Sequence, residues 1–319
     1  MSTSDRPPPY TAIARELIEG KVVPFIGSAA SFAGLPDTPG RLPDGQKLAQ
    51  ELIDEFADYP GNDGDPLTKV AQYYEECILG RSPLYDHLRK RFYLAQADAP
   101  VNPTVEVLAD IKKPLCIVTT NYDDHIERAF ELAGRPYTLL THVTNGGHPD
   151  YGRVILRRST SAPEMAMVDP GQLGLADFGD DTIIYKLHGT FDATLSTTED
   201  TVIVTEDDYV RFITMTFSSK IPPPALIRLF QQRHFLFLGY SLEDWNFRVI
   251  LRRIQETAAF GNNYMSWAVR LGVSAIEEKF WSKRHVEVYD EDLGIFVEKL
   301  RKTLGGLGGL SAPRVPRAK

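Results

Sequence analysis

Short apolar segments alternate with helix-length amphipathic segments along most of this 319-residue chain. Strands separated by helices are joined by right-handed crossovers, and they build a parallel sheet with helices on both faces. The alternation therefore predicts an α/β fold with a doubly wound parallel sheet. The predicted strands are Val22–Ile26, Leu115–Thr119, Ile183–Leu187, Val202–Val204, His234–Leu238, Ser266–Val269 and Val286–Tyr289.

Two segments interrupt this alternation. Residues from about 40 to 110 are mostly helical in pattern, which predicts a small helical subdomain inserted into the first crossover. Residues from about 141 to 181 contain clusters of Gly, Pro and Asp, which predict an irregular insertion. We expect one domain over residues 1–305. The Gly- and Pro-rich residues 306–319 are predicted to be a flexible tail.

Composition narrows the class of protein. A net charge of −8 disfavours direct nucleic-acid binding, because neutralising phosphates requires clustered Lys and Arg. No apolar run approaches the roughly 18 residues that span a bilayer, and the first residues lack a signal-peptide pattern. Two cysteines, Cys77 and Cys116, are too few for a four-thiolate zinc site, and the histidines show no metal-ligand spacing. We expect a cytoplasmic protein with no metal and no membrane contact.

Four predicted strands end in small or polar sequences: GSAAS, TTNYDD, KLHGT and GYSLED. In doubly wound sheets, ligands bind beyond the carboxyl ends of the strands. The four sequences therefore predict a binding site at this edge of the sheet.

The first of these sequences has two interpretations. Gly27 permits a tight turn, and the small residues after it would let backbone N–H groups approach a pyrophosphate. A tight turn packed against a neighbouring part of the protein would need the same residues. The sequence is not the G-x-G-x-x-G dinucleotide fingerprint, because Ala29 stands where a second glycine would help.

The side chains after the next strands can carry chemistry. The Asn121 amide suits a sugar hydroxyl or a water, although Asn121 or Asp123 could equally cap the following helix. His188 follows its strand directly and can accept a proton, although a lone histidine is commonly structural. Gly239 and Ser241 repeat the glycine and small polar residue of the first loop and could meet a ribose or phosphate.

Taken in order, VPFIGSAAS-x-x-GLP, TTNYDD, KLHG and LGYSLEDWN resemble the sirtuin-like NADase domain of bacterial anti-phage defence systems. The resemblance covers roughly residues 11 to 300. It implies a Rossmann-like fold that binds NAD as substrate and hydrolyses it to nicotinamide and ADP-ribose. The first motif departs from the family's usual G-A-G-x-S and reads GSAAS here.

The resemblance also assigns roles by position. Asn121 and Asp123 would face the nicotinamide ribose, and His188 would be the catalytic histidine. The expected NAD-binding residues are Gly27, Ser28, Ala29, Ser31, Thr120, Gly239, Tyr240 and Ser241.

Protein-deacylating sirtuins usually carry a four-cysteine zinc module, so the cysteine count favours NAD hydrolysis. The alternatives are a non-catalytic NAD or ADP-ribose sensor or assembly subunit, and a zinc-free protein deacylase. An NADase that depletes its own cell needs a gate. Family habit implies a homo-oligomer and a HerA-type hexameric ATPase partner, or an argonaute or phage-protein trigger.

Overall fold

The structure is a computed structural model that describes residues 6–35, 42–56, 58–92, 100–159, 165–191, 201–218, 220–240, 245–257 and 265–311. The strands are β1 (Val22–Ile26), β2 (Cys116–Thr119), β3 (Tyr137–His142), β4 (Val154–Arg158), β5 (Met165–Val168), β6 (Thr182–Lys186), β7 (His234–Leu238), β8 (Ser266–Arg270) and β9 (Val286–Asp290). The helices are α1 (Tyr10–Ile18), α2 (Gly45–Glu55), α3 (Leu67–Tyr73), α4 (Arg81–Phe92), α5 (Pro103–Asp110), α6 (His125–Leu132), α7 (Glu206–Phe217), α8 (Pro224–Phe230), α9 (Trp245–Thr257), α10 (Ala275–Ser282) and α11 (Leu293–Gly306).

The described strands form one sheet in the order β5-β4-β3-β6-β2-β1-β7-β8-β9. The pairs β3–β4 and β4–β5 are antiparallel. The other six pairs in this order, from β3–β6 to β8–β9, are parallel. The α/β fold predicted from the sequence is confirmed. The sheet is mixed at one edge, because a hairpin extends it there without a crossover helix.

The prediction that residues 141–181 form an irregular insertion is wrong. Strands β4 and β5 lie inside it, and β3 begins just before it. The Gly-, Pro- and Asp-rich residues 144–152 form only the β3–β4 hairpin loop, closed by the bond from the Gly152 amide to the Val143 carbonyl (2.8 Å). These turn residues therefore join two strands of a hairpin and do not mark a long loop.

The predicted strand Val202–Val204 is also wrong. Its three side chains are buried, but the segment pairs with none of the strands in the described part of the chain. The Ile203 amide donates to the His188 carbonyl (3.1 Å), and its own carbonyl accepts from the Tyr122 hydroxyl (2.5 Å). The apolar run Val202–Val204 therefore indicates burial and not strand pairing. The helix start that follows is as predicted, because Thr205 and Asp208 form a reciprocal capping box.

Helices cover both faces of the sheet. Buried side chains of α1, α5, α6 and α11 pack in one apolar cluster, and those of α7, α8, α9 and α10 pack in another. Strand β1 contributes Val22 and Ile26 to the first cluster and Val23 and Phe25 to the second. A strand buried on both faces reads as a continuous apolar run, which is why β1 was visible in the sequence.

Helices α2, α3 and α4 form a separate apolar cluster, which confirms the predicted helical insertion. This cluster also contains Tyr122 and Phe191, which follow β2 and β6, so the insertion lies over the carboxyl ends of those strands. Helix α5 falls inside the predicted range of about 40–110 but packs against α6 and α11 instead. The insertion therefore ends before α5.

The predicted flexible tail begins too early. Gly306 is the last residue of α11, Leu310 pairs with Ile111, and the Lys112 amide donates to the Gly309 carbonyl (3.0 Å). Residues 306–311 are thus packed against the domain, and residues 312–319 lie outside the described part of the chain. Among the helices described, none is long and apolar enough to cross a membrane.

Candidate active site

The loops that follow β1, β2, β6 and β7 meet around one cavity of about 200 Å³. This meeting confirms that the four unusual strand ends converge, as the doubly wound fold requires. Helix α7 and the helical insertion supply the remaining walls. The lining residues are Ser28, Ser31, Leu42, Pro43, Asp44, Gly45, Leu48, Leu67, Phe92, Thr120, Asn121, Tyr122, Asp123, His188, Tyr209 and Tyr240.

The small residues after β1 accommodate another loop of the protein. A Cβ on Gly27 would stand 2.4 Å from the Gly239 carbonyl oxygen, and one on Gly239 would stand 2.4 Å from the Ala30 nitrogen. The Ala29 amide donates to the same Gly239 carbonyl (3.1 Å). Gly27 itself has an extended backbone (φ −107°), so close approach rather than an unusual turn is what requires glycine there.

This crossing changes the interpretation of the first loop. The backbone amides of Ala29 and Ala30 already donate hydrogen bonds within the protein, to the carbonyls of Gly239 and Gly27. They are therefore not free to bind a pyrophosphate. Gly27, Ala29 and Gly239 are absent from the cavity lining, whereas Ser28 and Ser31 belong to it. Thr120 and Tyr240 also lie on the wall. The predicted binding residue Ser241 lies outside the described residues.

Asn121, Ser31 and Asp123 form one hydrogen-bonded network on the cavity wall. The Asn121 amide nitrogen donates to the Gly27 carbonyl (2.9 Å) and to the Ser31 hydroxyl (2.8 Å). Ser31 in turn donates to Asp123 Oδ2 (2.6 Å). The network therefore fixes the end of β2 against the end of β1 through side chains.

Asp123 is held as a carboxylate inside this network. Burial opposes its ionisation, but the charges of His125 and Lys186 and the Ser31 hydrogen bond outweigh burial and lower its pKa. Its other oxygen, Oδ1, accepts from the His125 backbone amide (3.1 Å). Through this bond Asp123 caps the first amide of α6, as the sequence allowed, whereas the N-cap residue Asp124 makes no side-chain cap bond and Asn121 bonds elsewhere.

His188 lines the cavity just after the end of β6. The residue is 5% exposed, and its ring makes edge-to-face contacts with Tyr209 (5.3 Å between centroids) and Phe212 (5.8 Å). Both aromatic rings belong to α7, so this helix orients the histidine. Gly189 has φ +82°, and a Cβ there would stand 2.2 Å from the Thr201 carbonyl oxygen. Gly189 thus makes room for the chain itself.

Sequence reasoning missed the walls that come from outside the four motifs. Tyr122 lies within TTNYDD and could have been found by its position beside Asn121. Tyr209 and the insertion residues, among them Leu48 and Phe92, carry no local signal, because only the packing of α7 and of the insertion brings them to the cavity.

Within the described ranges, no group of three or more His, Cys, Asp or Glu side chains could hold a metal ion. Cys77 is exposed and Cys116 is buried, and neither forms a disulfide. Burial raises the pKa of the Cys116 thiol to about 12, so this residue is an inert part of the core.

Comparison with known proteins gives three findings. Residues 115–289, more than half of the chain, match the family described as SIR2-like domain, and this range holds three of the four motifs. The NAD(+) hydrolase ThsA of Acinetobacter baumannii (strain 532279) is 28% identical over 244 residues, which are 76% of this chain and 41% of that protein. The chain thus spans about two fifths of the length of that relative.

A solved chain described as "Structural Basis for the Mechanism and Regulation of Sir2 Enzymes" superposes with a TM-score of 0.41 and 12% identity, covering 95% of this chain and 99% of that one. The family match confirms the sirtuin-like resemblance that the ordered motifs indicated. This protein belongs to the SIR2-like domain family.

Proposed function

We propose that this protein hydrolyses NAD⁺ to nicotinamide and ADP-ribose. The observation that carries the proposal is that Asn121 and His188 line the same cavity at the carboxyl ends of β2 and β6. The similarity to a protein named an NAD(+) hydrolase supports the choice of substrate.

The hydrogen bonds of Asn121 indicate how it would meet the substrate. Both hydrogens of its amide nitrogen are donated within the protein, to Gly27 and Ser31. Its remaining polar atom is Oδ1, which accepts hydrogen bonds only. We expect Oδ1 to accept from a hydroxyl of the nicotinamide ribose or from the attacking water.

His188 is the proposed proton acceptor. A neutral imidazole can take the proton that a ribose hydroxyl or the water loses during attack. The edge-to-face contacts with Tyr209 and Phe212 restrict the orientation of its ring. Such restriction matters because proton transfer requires heavy atoms about 2.6–3.2 Å apart.

The reaction needs little acid catalysis. Nicotinamide leaves C1 of the ribose with the electron pair of the C–N bond, which neutralises its positive ring. Water adds to the same carbon and gives up a proton, and the ribosyl group passes through an oxocarbenium-like state. The Asp123 carboxylate, ionised behind Ser31, adds negative potential near this developing cation without needing to contact it.

The cavity favours entry of one half of the dinucleotide. Its volume of about 200 Å³ is below the roughly 300–1,000 Å³ of typical small-molecule sites. Aromatic walls at Tyr122, Tyr209 and Phe92 suit a planar ring. Because Asn121 and His188 share these walls, the half that enters would be the nicotinamide riboside.

The proposal is tested by chromatography with mass detection of NAD⁺ incubated with the purified protein and with Asn121→Ala and His188→Ala. We expect release of nicotinamide and ADP-ribose by the wild type and a loss of at least about 1,000-fold in each variant, the size typical of removing an essential catalytic group. Circular dichroism checks that both variants fold. Wild-type turnover by a folded variant would remove that residue from the mechanism.

A wild type that binds NAD⁺ without cleaving it, even with partners added, would favour the alternative of an NAD or ADP-ribose sensor. A wild type that instead releases nicotinamide only with an acylated peptide would favour the zinc-free deacylase. Titration calorimetry and peptide mass spectrometry separate these outcomes.

We further propose that the activity serves bacterial anti-phage defence by depleting cytoplasmic NAD and is gated by assembly. The partners expected from the family are further copies of the chain, a HerA-type ATPase, an argonaute or a phage protein. Light scattering of the purified protein tests self-association. Turnover measured with and without a HerA-type ATPase tests that gate.

A further inference from the structure

Lys186 is a buried cation at the end of β6, two residues before His188. Its side chain is 0% exposed. The ammonium group donates to the backbone carbonyl of Asp123, forms an ion pair with Glu127 Oε1 (2.7 Å), and reaches Thr190 Oγ1 (3.5 Å). It does not line the cavity. Lys186 therefore acts on the site through other residues.

Stability alone gives a poor account of this cation. Taking a lysine and a glutamate out of water costs several kcal/mol per ion, and well-packed apolar residues often replace such a pair without loss. The surroundings add to the cost, because both ring nitrogens of His125 and one oxygen of Asp124 are buried without a hydrogen-bond partner. A feature that is costly for folding, beside a proposed catalytic centre, calls for another role.

The contacts of Lys186 join the two segments that carry the proposed chemistry. The Asn121–Asp123 turn is tied to β1 through Ser31, but its Asp123 carbonyl is tied to β6 through Lys186. Because Lys186 lies on the strand that leads into His188, its side chain adds a second tie between the two turns, beyond the ladder bond from the Leu187 amide to the Thr119 carbonyl (2.8 Å).

We propose that Lys186 is a positioning residue that fixes Asn121 relative to His188. This inference rests on the NAD hydrolysis proposed above. The Glu127 carboxyl group pairs with the ammonium group, and the Asp123 carbonyl accepts its hydrogen bond. Without the cation, the turn after β2 keeps its link to β1 and the ladder bond from the Leu187 amide to the Thr119 carbonyl, and loses the side-chain link from β6 to the Asp123 carbonyl.

The main test replaces both charges at once with Lys186→Met/Glu127→Gln, so that no unpaired ion remains buried. A misplacement of about 1 Å at a reacting centre costs about 100-fold in rate. We expect kcat to fall by about this factor while KM changes less than about threefold, because neither residue lines the cavity. A second variant, Lys186→Gln, keeps a hydrogen-bond donor, but its side chain is too short to reach the Asp123 carbonyl. It should show the same fall in kcat with little change in KM.

The matched control is Arg135→Met. Arg135 also donates to two backbone carbonyls, those of Ala109 (3.2 Å) and Lys112 (3.0 Å), but it precedes β3 and so lies at the amino ends of the parallel strands, away from the cavity at their carboxyl ends. The Arg135→Met variant should unfold at a lower temperature than the wild type and keep the wild-type kcat. Wild-type kcat in a folded Lys186 variant, or a loss of kcat in the control equal to that in the variants, would overturn the proposal.

Hydrogen–deuterium exchange separates this proposal from the function on which it rests. The Lys186 variants should exchange faster than wild type in peptides covering 119–125 and 187–191, and at the wild-type rate in peptides from α1 and α11. This readout needs no turnover. Unchanged exchange in both loops would contradict the positioning role even if the wild type proves to be an NADase, and faster exchange would support it even if hydrolysis fails.

Discussion

Two contacts hold neighbouring loops together at the same edge of the sheet, and they do so by different means. Gly27 and Gly239 bring the loops after β1 and β7 together backbone against backbone, with no space for a Cβ on either residue. Asn121, Ser31 and Asp123 bring the loops after β1 and β2 together through side-chain hydrogen bonds on the cavity wall. The first contact serves folding, whereas the second presents polar atoms to the cavity.

The difference shows how a motif of small residues can be misread. The sequence GSAAS is compatible with a phosphate-binding loop, yet its amides at Ala29 and Ala30 are already donated to protein carbonyls. The motif is instead shaped by its neighbour. In contrast, the polar residues after β2 do line the cavity, because parallel strands place their carboxyl ends together.

The largest effect should follow from breaking the glycine contact. In Gly27→Ala the new methyl group would meet the Gly239 carbonyl and the Tyr240 Cα at 2.4 Å, and backbone atoms cannot move aside cheaply. We expect the free energy of unfolding to fall by about 3 kcal/mol or more, measured by urea denaturation. Gly306→Ala is the control, since a Cβ there meets nothing within 4 Å. A loss of less than about 1 kcal/mol in Gly27→Ala would show that the two loops are not in tight contact.

Two buried histidines differ in the same way, since one lines the cavity and the other is enclosed in the fold. His188 lines the cavity, whereas His142 is enclosed at the end of β3, with Nε2 hydrogen-bonded to the Tyr185 hydroxyl (2.7 Å). Burial lowers the pKa of His142 from 6.5 to about 3. Below pH 6.5 the unfolded chain therefore gains a proton that the folded protein refuses until about pH 3, and stability falls with decreasing pH across this interval.

Between pH 7 and pH 5, His142 should thus lower the free energy of unfolding by about 2 kcal/mol. His142→Gln keeps a partner for Tyr185 and does not titrate, so its stability should depend less on pH by that amount. Urea denaturation of both proteins at the two pH values measures the difference. Equal pH dependence would mean that His142 takes up its proton in the folded state.

The smallest of these effects concerns the side-chain network. Ser31→Ala removes the acceptor for Asn121 and the donor to Asp123, while Asn121 keeps its bond to the Gly27 carbonyl. We expect NAD turnover to fall about tenfold, corresponding to about 1.4 kcal/mol, with the fold retained. Thr303→Ala, which removes a bond from a hydroxyl to the Lys299 carbonyl on α11, is the control. Unchanged turnover in Ser31→Ala would mean that Asn121 is held without the serine.

The site residues predicted from the sequence fall into two groups, those that line the cavity and those that do not. Ser28, Ser31, Thr120, Asn121, Asp123, His188 and Tyr240 line the cavity, as their places at strand ends predicted. Gly27, Ala29 and Gly239 do not, because a requirement for small size does not say what fills the space. Tyr209 and Phe92 could not be predicted, since they come from helices far along the chain from the four motifs.

The sequence by itself determined the α/β class, the positions of most strands along the chain and the edge of the sheet where the candidate site lies, because hydrophobic periodicity and crossover handedness are local rules. It also determined the family, through an ordered set of short motifs. Only the tertiary structure decided that β4 and β5 extend the sheet, that the insertion forms a wall of the cavity, and that Gly27 faces Gly239. The physical reason is that these contacts join residues far apart along the chain, and their geometry depends on how whole elements pack.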